Sequence, residues 1–276
     1  METAVVATQA RQQAPAIELR HLSMTFTRSD GSVVNAVRDV SMIFEEGEFT
    51  CIIGPSGHGK TTLLHVTAGL LKPTNGEVLV AGKRVSEPGP DRGVVFQKDS
   101  VFPWMRAVDN VEYGPRCRGV NAEERRKTAL SYLEAVGLEH VAHSWPRELS
   151  GGMLKRVAVA TVFANDPRVL LLDEPFSALD YVTKRQLHRV LLKLWAGEGT
   201  DKRRTVMFVT HDVDEALSLA DRVVVVKHGG IVEDLPIRQP RPRTDDDLAR
   251  PEMLEAKHVL LRHLGIEEPP AEKAWI

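Results

Sequence analysis

The sequence predicts an α/β fold built on a largely parallel sheet, and three observations point to it. Short apolar runs at Phe49 to Ile53, Gly93 to Phe96, Val169 to Leu172, Val206 to Val209 and Val223 to Val226 read as strands buried on both faces. Segments with helical spacing lie between them, as crossover connections require. A chain of 276 residues with 42% hydrophobic content is also long enough to bury the core of one large α/β domain.

Met1 to Pro15, rich in Ala, Gln and Thr, lacks the basic start and apolar stretch of a signal peptide, so a disordered tail is expected there. Ile17 to Phe26 and Val33 to Phe44 carry β-type residues on either side of a Ser29–Gly31 turn and predict an antiparallel edge layer. The first buried strand runs into a Gly-rich turn, followed by a helix from Thr61 that should stop near Leu71, before Pro73. Between Asp99 and Ala160 no strand-like run occurs, and the stretch reads as a helical insertion. Within it, Asn121 to Val136 has a polar start, early glutamates, and Leu130, Leu133 and Val136 at helical spacing. After Pro236 come a Pro- and Arg-rich segment, the acidic run Asp245 to Asp247, and a final helix near Pro251 to Leu264. The expected organisation is a tail over 1–15, a main domain over 16–235 with its helical part at about 99–160, and a C-terminal tail or helix over 236–276.

Composition narrows the function classes. A formal net charge of −2 gives no global cationic field of the kind that draws proteins to nucleic acid, so no nucleic-acid partner is expected. Cys51 and Cys117 are too few for a disulfide framework; a reducing compartment fits, and Cys51, in an apolar run, reads as a small buried thiol. The longest apolar runs fall far short of the roughly 18 residues a membrane span needs, so work at a membrane would go through a partner.

Gly54-Pro55-Ser56-Gly57-His58-Gly59-Lys60-Thr61, followed by Thr62, has P-loop spacing and stands between an apolar strand and a helix. Glycines let backbone N–H groups converge on phosphate oxygens, and the helix N-terminus adds positive potential. Lys60 is placed for the terminal phosphates and Thr61 offers a hydroxyl to Mg²⁺. The loop alone leaves guanine and adenine nucleotides, kinases and motors open, but no Asn-Lys-x-Asp guanine motif is visible, which favours ATP.

Asp173 and Glu174 end the apolar strand Val169 to Leu172, where open α/β sheets hold their ligands. Asp173 suits Mg²⁺, and Glu174 can orient or deprotonate an attacking water; taken alone, the pair is also consistent with a strand ending in an acidic turn. Gln97 and His211 follow other strands of the same sheet, and Gln97 offers an amide to Mg²⁺ or the water. Ser150, Gly151 and Gly152 open an apolar helix, which is either an ordinary cap or a second phosphate-binding element.

In order, Gly54 to Thr62, Gln97, Leu149 to Met153, Leu172 to Pro175, Ser177 to Asp180 and Thr210 to Asp212 resemble the nucleotide-binding subunits of ATP-binding-cassette transporters. The resemblance covers roughly Ile17 to Leu235 and implies a P-loop NTPase core of the RecA-like kind with an antiparallel β edge layer and an inserted helical subdomain. It further implies a homodimer in which Ser150, Gly151 and Gly152 of one copy close over the ATP held by the P-loop of the other. On the same grounds Gln97 belongs to a nucleotide-sensing loop that touches a membrane subunit, Ser177 to Asp180 to the dimer seam, His211 to the γ-phosphate, and Phe26 to the adenine ring. Phe96-Gln97 with Phe102 to Trp104, and Met153 in the serine-glycine element, look like importers of the nitrate, sulfonate and taurine group. Such a subunit sits on the cytoplasmic face of the membrane with permease subunits and, indirectly, a solute-binding protein. His58, Lys155 and Thr161 depart from the residues common in the family. Two other readings compete: a soluble cassette ATPase acting on ribosomes or DNA, which usually has tandem cassettes or a coiled coil, and a non-hydrolysing module, against which the intact Glu174 and His211 argue.

Overall fold

The computed structural model describes residues 14–98, 101–177, 179–197 and 203–266. Most of the expected N-terminal tail, Ala178 of the dimer-seam motif and residues 267–276 lie outside the described residues.

Strands β1 (Ile17–Thr27) and β2 (Val33–Phe44) form an antiparallel pair, followed by β3 (Phe49–Ile53) and helix α1 (Lys60–Ala68). Then come β4 (Asn75–Val80), β5 (Lys83–Arg84) and β6 (Arg92–Val95). Helices α2 (Ala107–Cys117), α3 (Ala122–Ala135) and α4 (Gly151–Ala164) lead to β7 (Val169–Asp173) and α5 (Tyr181–Ala196). The remainder is β8 (Thr205–Val209), α6 (Val213–Leu219), β9 (Arg222–Lys227), β10 (Gly230–Pro236), α7 (Asp245–Leu248) and α8 (Pro251–Leu264).

One sheet has the order β2-β1-β4-β5 and is antiparallel; the other has the order β10-β9-β3-β8-β7-β6, parallel except at β10. Successive side chains of a strand point to opposite faces, so continuous apolar strands serve two cores at once. Ile52, Leu171, Met207 and Val224 pack with β1, β2, β4 and α1 on one face. Cys51, Leu170, Phe208 and Val223 pack on the other with Phe163 of α4, Leu187 and Trp195 of α5, and Met253 and Leu260 of α8. The Cys51 thiol is fully buried, which raises its pKa well above the usual range. Helices α2, α3 and α4 share a third core around Val111, Leu133 and Val157, between β6 and β7 in the chain.

Two boundaries differ from the sequence expectation. Helix α1 ends at Ala68, short of Leu71, because Gly69 takes a left-handed φ of 79° and donates its N–H to Val66 O. That is a glycine C-cap, which acts before Pro73 is reached. The strand expected over Gly93 to Phe96 ends at Val95, and Phe96 is 37% exposed.

Candidate nucleotide site

The parallel strands β3, β6, β7 and β8 all end at one edge of the sheet, and the P-loop, Gln97, Asp173, Glu174 and His211 emerge there. The loop from Gly54 to Gly59 is threaded between backbones. A Cβ on Gly59, at φ 100°, would lie 2.0 Å from Ala36 O of β2, and one on Gly54 would lie 2.1 Å from Val226 O of β9. Only glycine permits both the left-handed conformation and the approach at residue 59. Gly59→Ala is therefore expected to destabilise the fold by about 2 kcal/mol or more, read as a lowered Tm, and to abolish nucleotide binding.

Lys60, only 5% exposed, donates from Nζ to Gly54 O at 2.8 Å and to Pro55 O at 3.0 Å. Burial lowers its pKa, and Glu174 and Asp173 pull it back up. Thr61 Oγ1 donates to Asp173 Oδ1 at 3.0 Å. Burial raises the Asp173 pKa above the usual carboxylate range, and the Thr61 hydrogen bond works the other way. A buried carboxylate beside a hydroxyl offers hard oxygen donors suited to Mg²⁺, and the Gln97 side-chain amide contacts the adjacent Glu174. Among the described residues no group of three or more His, Cys, Asp or Glu side chains could hold a metal without such help.

Glu174 stands at a positive φ of 41°. Its N–H donates to Val209 O at 3.0 Å, and its carbonyl accepts from Ser177 Oγ at 3.1 Å. This turn directs the carboxylate toward two neighbours: Gln97 Nε2 donates to Glu174 Oε2 at 3.1 Å, and His211 Nδ1 lies 3.2 Å from the same oxygen. The structure thus brings Gln97, Glu174 and His211 together in one chain.

The remaining loop residues are arranged around this centre. Ser56 and Gly57 are exposed, His58 N–H donates to Pro55 O at 3.4 Å, and Thr62 follows in the first turn of α1. His58 Nδ1 accepts from the His228 N–H at 3.2 Å and its carbonyl accepts from the Gly229 N–H at 3.2 Å, tying the loop to the β9–β10 turn. Phe26, 39% exposed, lies opposite Val34 at the end of the β1–β2 pair that also carries Ala36.

Ser150, Gly151 and Gly152 open α4 and, among the described residues, have no side-chain hydrogen bond to this group. Ser150 caps α4, its Oγ accepting from the Met153 N–H at 3.3 Å. A Cβ on Gly152 would meet Thr183 Cγ2 of α5 at 2.9 Å. Among the described residues no hydrogen bond joins Ser150, Gly151 or Gly152 to the loop from Gly54 to Thr62.

A family model described as ABC transporter matches residues 37–177 of the chain. This chain belongs to the ABC transporter family. It is 46% identical over 226 residues to the nitrate import ATP-binding protein NrtD of Synechocystis sp., covering 81% of this chain and 83% of that protein. It is 42% identical over 210 residues to the taurine import ATP-binding protein TauB of Roseobacter denitrificans, covering 76% and 77%. Among solved structures it is similar to the ATP-binding cassette MJ0796, a dimer in a post-hydrolysis state bound to ADP and Pi. That similarity has a TM-score of 0.70 at 32% identity and covers 81% of this chain and all of that one.

In this ABC transporter chain, two contacts around the site escape a reading by motif. Lys155 of α4, one of the departures from the family pattern, donates from Nζ to the carbonyl of Gln97 and, at 3.4 Å, to that of Phe96. The turn bearing His211 is held from behind by Lys184 and His188 of α5. The sequence carries only a weak signal for the second: the spacing of Lys184 and His188, which puts both on one helix face.

Proposed function

We propose that this chain is the ATP-binding and ATP-hydrolysing subunit of an ABC importer, working as a homodimer beneath transmembrane permease subunits that receive solute from a binding protein. No helix among the described residues is long and apolar enough to cross a membrane, which supports a peripheral subunit, here assigned to the cytoplasmic face of the inner membrane. The relatives named for nitrate and taurine support a small anionic solute such as nitrate, taurine or another sulfonate.

One observation carries this reading. Lys60, Thr61, Gln97, Asp173, Glu174 and His211 converge at one sheet edge, while the serine-glycine cap that would complete a phosphate cage has, among the described residues, no hydrogen bond to the loop of its own chain. A second copy supplies the missing half, as an isologous dimer allows. Backbone N–H groups of the loop and the α1 N-terminus then bind the phosphates, Lys60 leaves its carbonyl contacts for the terminal phosphates, and Phe26 stacks on adenine. Thr61, Asp173 and Gln97 would hold Mg²⁺, which when bound would offset phosphate charge. Glu174 orients the attacking water and takes its proton, with its carboxylate held by Gln97 and His211. The Ser150 hydroxyl and the Gly151 and Gly152 amides of the second copy face the γ-phosphate. ATP binds the closed dimer better than the open one, so its differential affinity drives closure and hydrolysis reverses it.

Steady-state phosphate release tests the reading. With Mg-ATP the purified chain should turn over, and EDTA should stop release while fluorescent-nucleotide binding persists. Turnover that ignores EDTA, or none with Mg²⁺ present, contradicts it.

A further inference from the structure

The turn that carries His211 is braced by a buried network that the proposed mechanism does not use. Lys184 and His188, four residues apart, lie on one face of α5. Lys184 Nζ donates to Asp212 Oδ2 at 2.9 Å, and His188 Nε2 lies 2.8 Å from Glu215 Oε1. Asp212 and Glu215 stand on either side of one turn: Asp212 caps α6 by accepting the Glu215 N–H at 3.1 Å. Thr210 closes the network, its hydroxyl donating to Glu215 Oε2 and accepting the Asp212 N–H at 3.1 Å. His211 thus sits in a loop whose two neighbours and following helix are all anchored.

Burial makes these contacts costly to lose. Thr210 is 2%, Glu215 5% and His188 7% exposed, and removing one partner of a buried charged contact leaves the other uncompensated. His188 packs on Phe176, with ring centroids 5.5 Å apart, and its buried Nδ1 has no hydrogen-bond partner among the described residues. The imidazole is therefore held by packing and by the Glu215 contact, not by a second polar anchor. Burial acts against charge on Lys184 and Asp212, yet their mutual hydrogen bond prevails, raising the lysine pKa and lowering that of the acid.

The N-terminus of α5, one turn before Lys184, follows the segment after Glu174. Ser177 bonds the Glu174 carbonyl, and Asp180 caps α5 by accepting the Thr183 N–H at 3.0 Å. The contacts therefore link α5 to the Asp212–Glu215 turn, and His211 within that turn lies against the Glu174 carboxylate.

We infer that Lys184 and His188 are positioning residues that set His211 against Glu174 by anchoring the turn that carries it to α5. This rests on the functional reading above. The test uses the full chain with His188→Leu, His188→Gln and Lys184→Met, each checked by thermal melting. His188→Leu should lower kcat at least about tenfold through misplacement of His211, with KM for Mg-ATP little changed. His188→Gln keeps an Nε2 donor and should restore most of that kcat. Lys184→Met, at a partly exposed position, should lower kcat in the same way and carries the test if His188→Leu does not fold. In a Glu174→Gln background, His188→Leu should still bind ATP and form the stalled dimer. Unchanged kcat in both His188→Leu and Lys184→Met, or a loss explained by a raised KM, overturns the inference. Normal turnover by Glu174→Gln alone would instead overturn the functional reading on which it rests.

Discussion

Replacing Glu174 with glutamine is expected to lower ATP turnover by about 10³-fold while leaving ATP binding intact. Glutamine keeps the size of the side chain and can still bond to Gln97, but it cannot take a proton from water. The binding elements are separate: Lys60 rests on Gly54 and Pro55, and Thr61 on Asp173. ATP should therefore load and remain uncleaved, and a dimer should accumulate, visible as a doubling of mass in size-exclusion chromatography with light scattering. Near-normal phosphate release would place the base elsewhere.

Substituting Ser150 with arginine is the second large effect expected, and it separates binding from closure. Ser150 bonds Met153 of its own helix and, among the described residues, has no bond to the phosphate loop. Loss of the cap costs about 1 kcal/mol, which melting will register. The isolated chain should retain its ATP affinity within roughly twofold, since binding depends on the loop and not on the cap. Hydrolysis and nucleotide-dependent dimerisation should both be lost, because the long cation replaces a small hydroxyl that, in the proposed dimer, faces the partner's γ-phosphate. Loss of ATP binding by the monomer would instead put Ser150 in its own chain's site.

Much of this site is legible in the sequence because its residues sit at strand ends, and strands buried on both faces are continuous apolar runs. Lys60, Asp173, Glu174 and His211 each follow such a run, so one sheet edge can be inferred before any coordinates. Strands β4 and β10 carry weaker marks, since each is partly exposed and mixes polar with apolar residues. Least legible are buried charges. Arg241 and Arg243 lie in a Pro- and Arg-rich stretch within what reads as a C-terminal tail or helix. Yet Arg243 is 6% exposed and donates to the carbonyls of Leu217, Ala220, Ile237 and Gln239, while Arg241 stacks on Trp195 with its guanidinium 4.1 Å from the ring centre. Burial lowers the Arg243 pKa to about 10. For Arg243 the signal is absent because the partners are backbone carbonyls, which every residue has. His188 and Glu215 are hidden for a related reason: their pairing joins two helices and is not local in the chain.

The central claim is that each ATP is held by the Lys60 loop of one copy and the Ser150 cap of the other. Mixing two inactive variants tests it most directly: Lys60→Ala, which cannot grip phosphate, and Ser150→Arg, which cannot close. In a mixed dimer the intact loop of the second faces the intact cap of the first, so one complete site exists. The account predicts that the mixture regains hydrolysis, up to about a quarter of the native rate for randomly assorted dimers with independent sites, although neither variant is active alone. A mixture as inert as its components, or full activity in Ser150→Arg by itself, would contradict it.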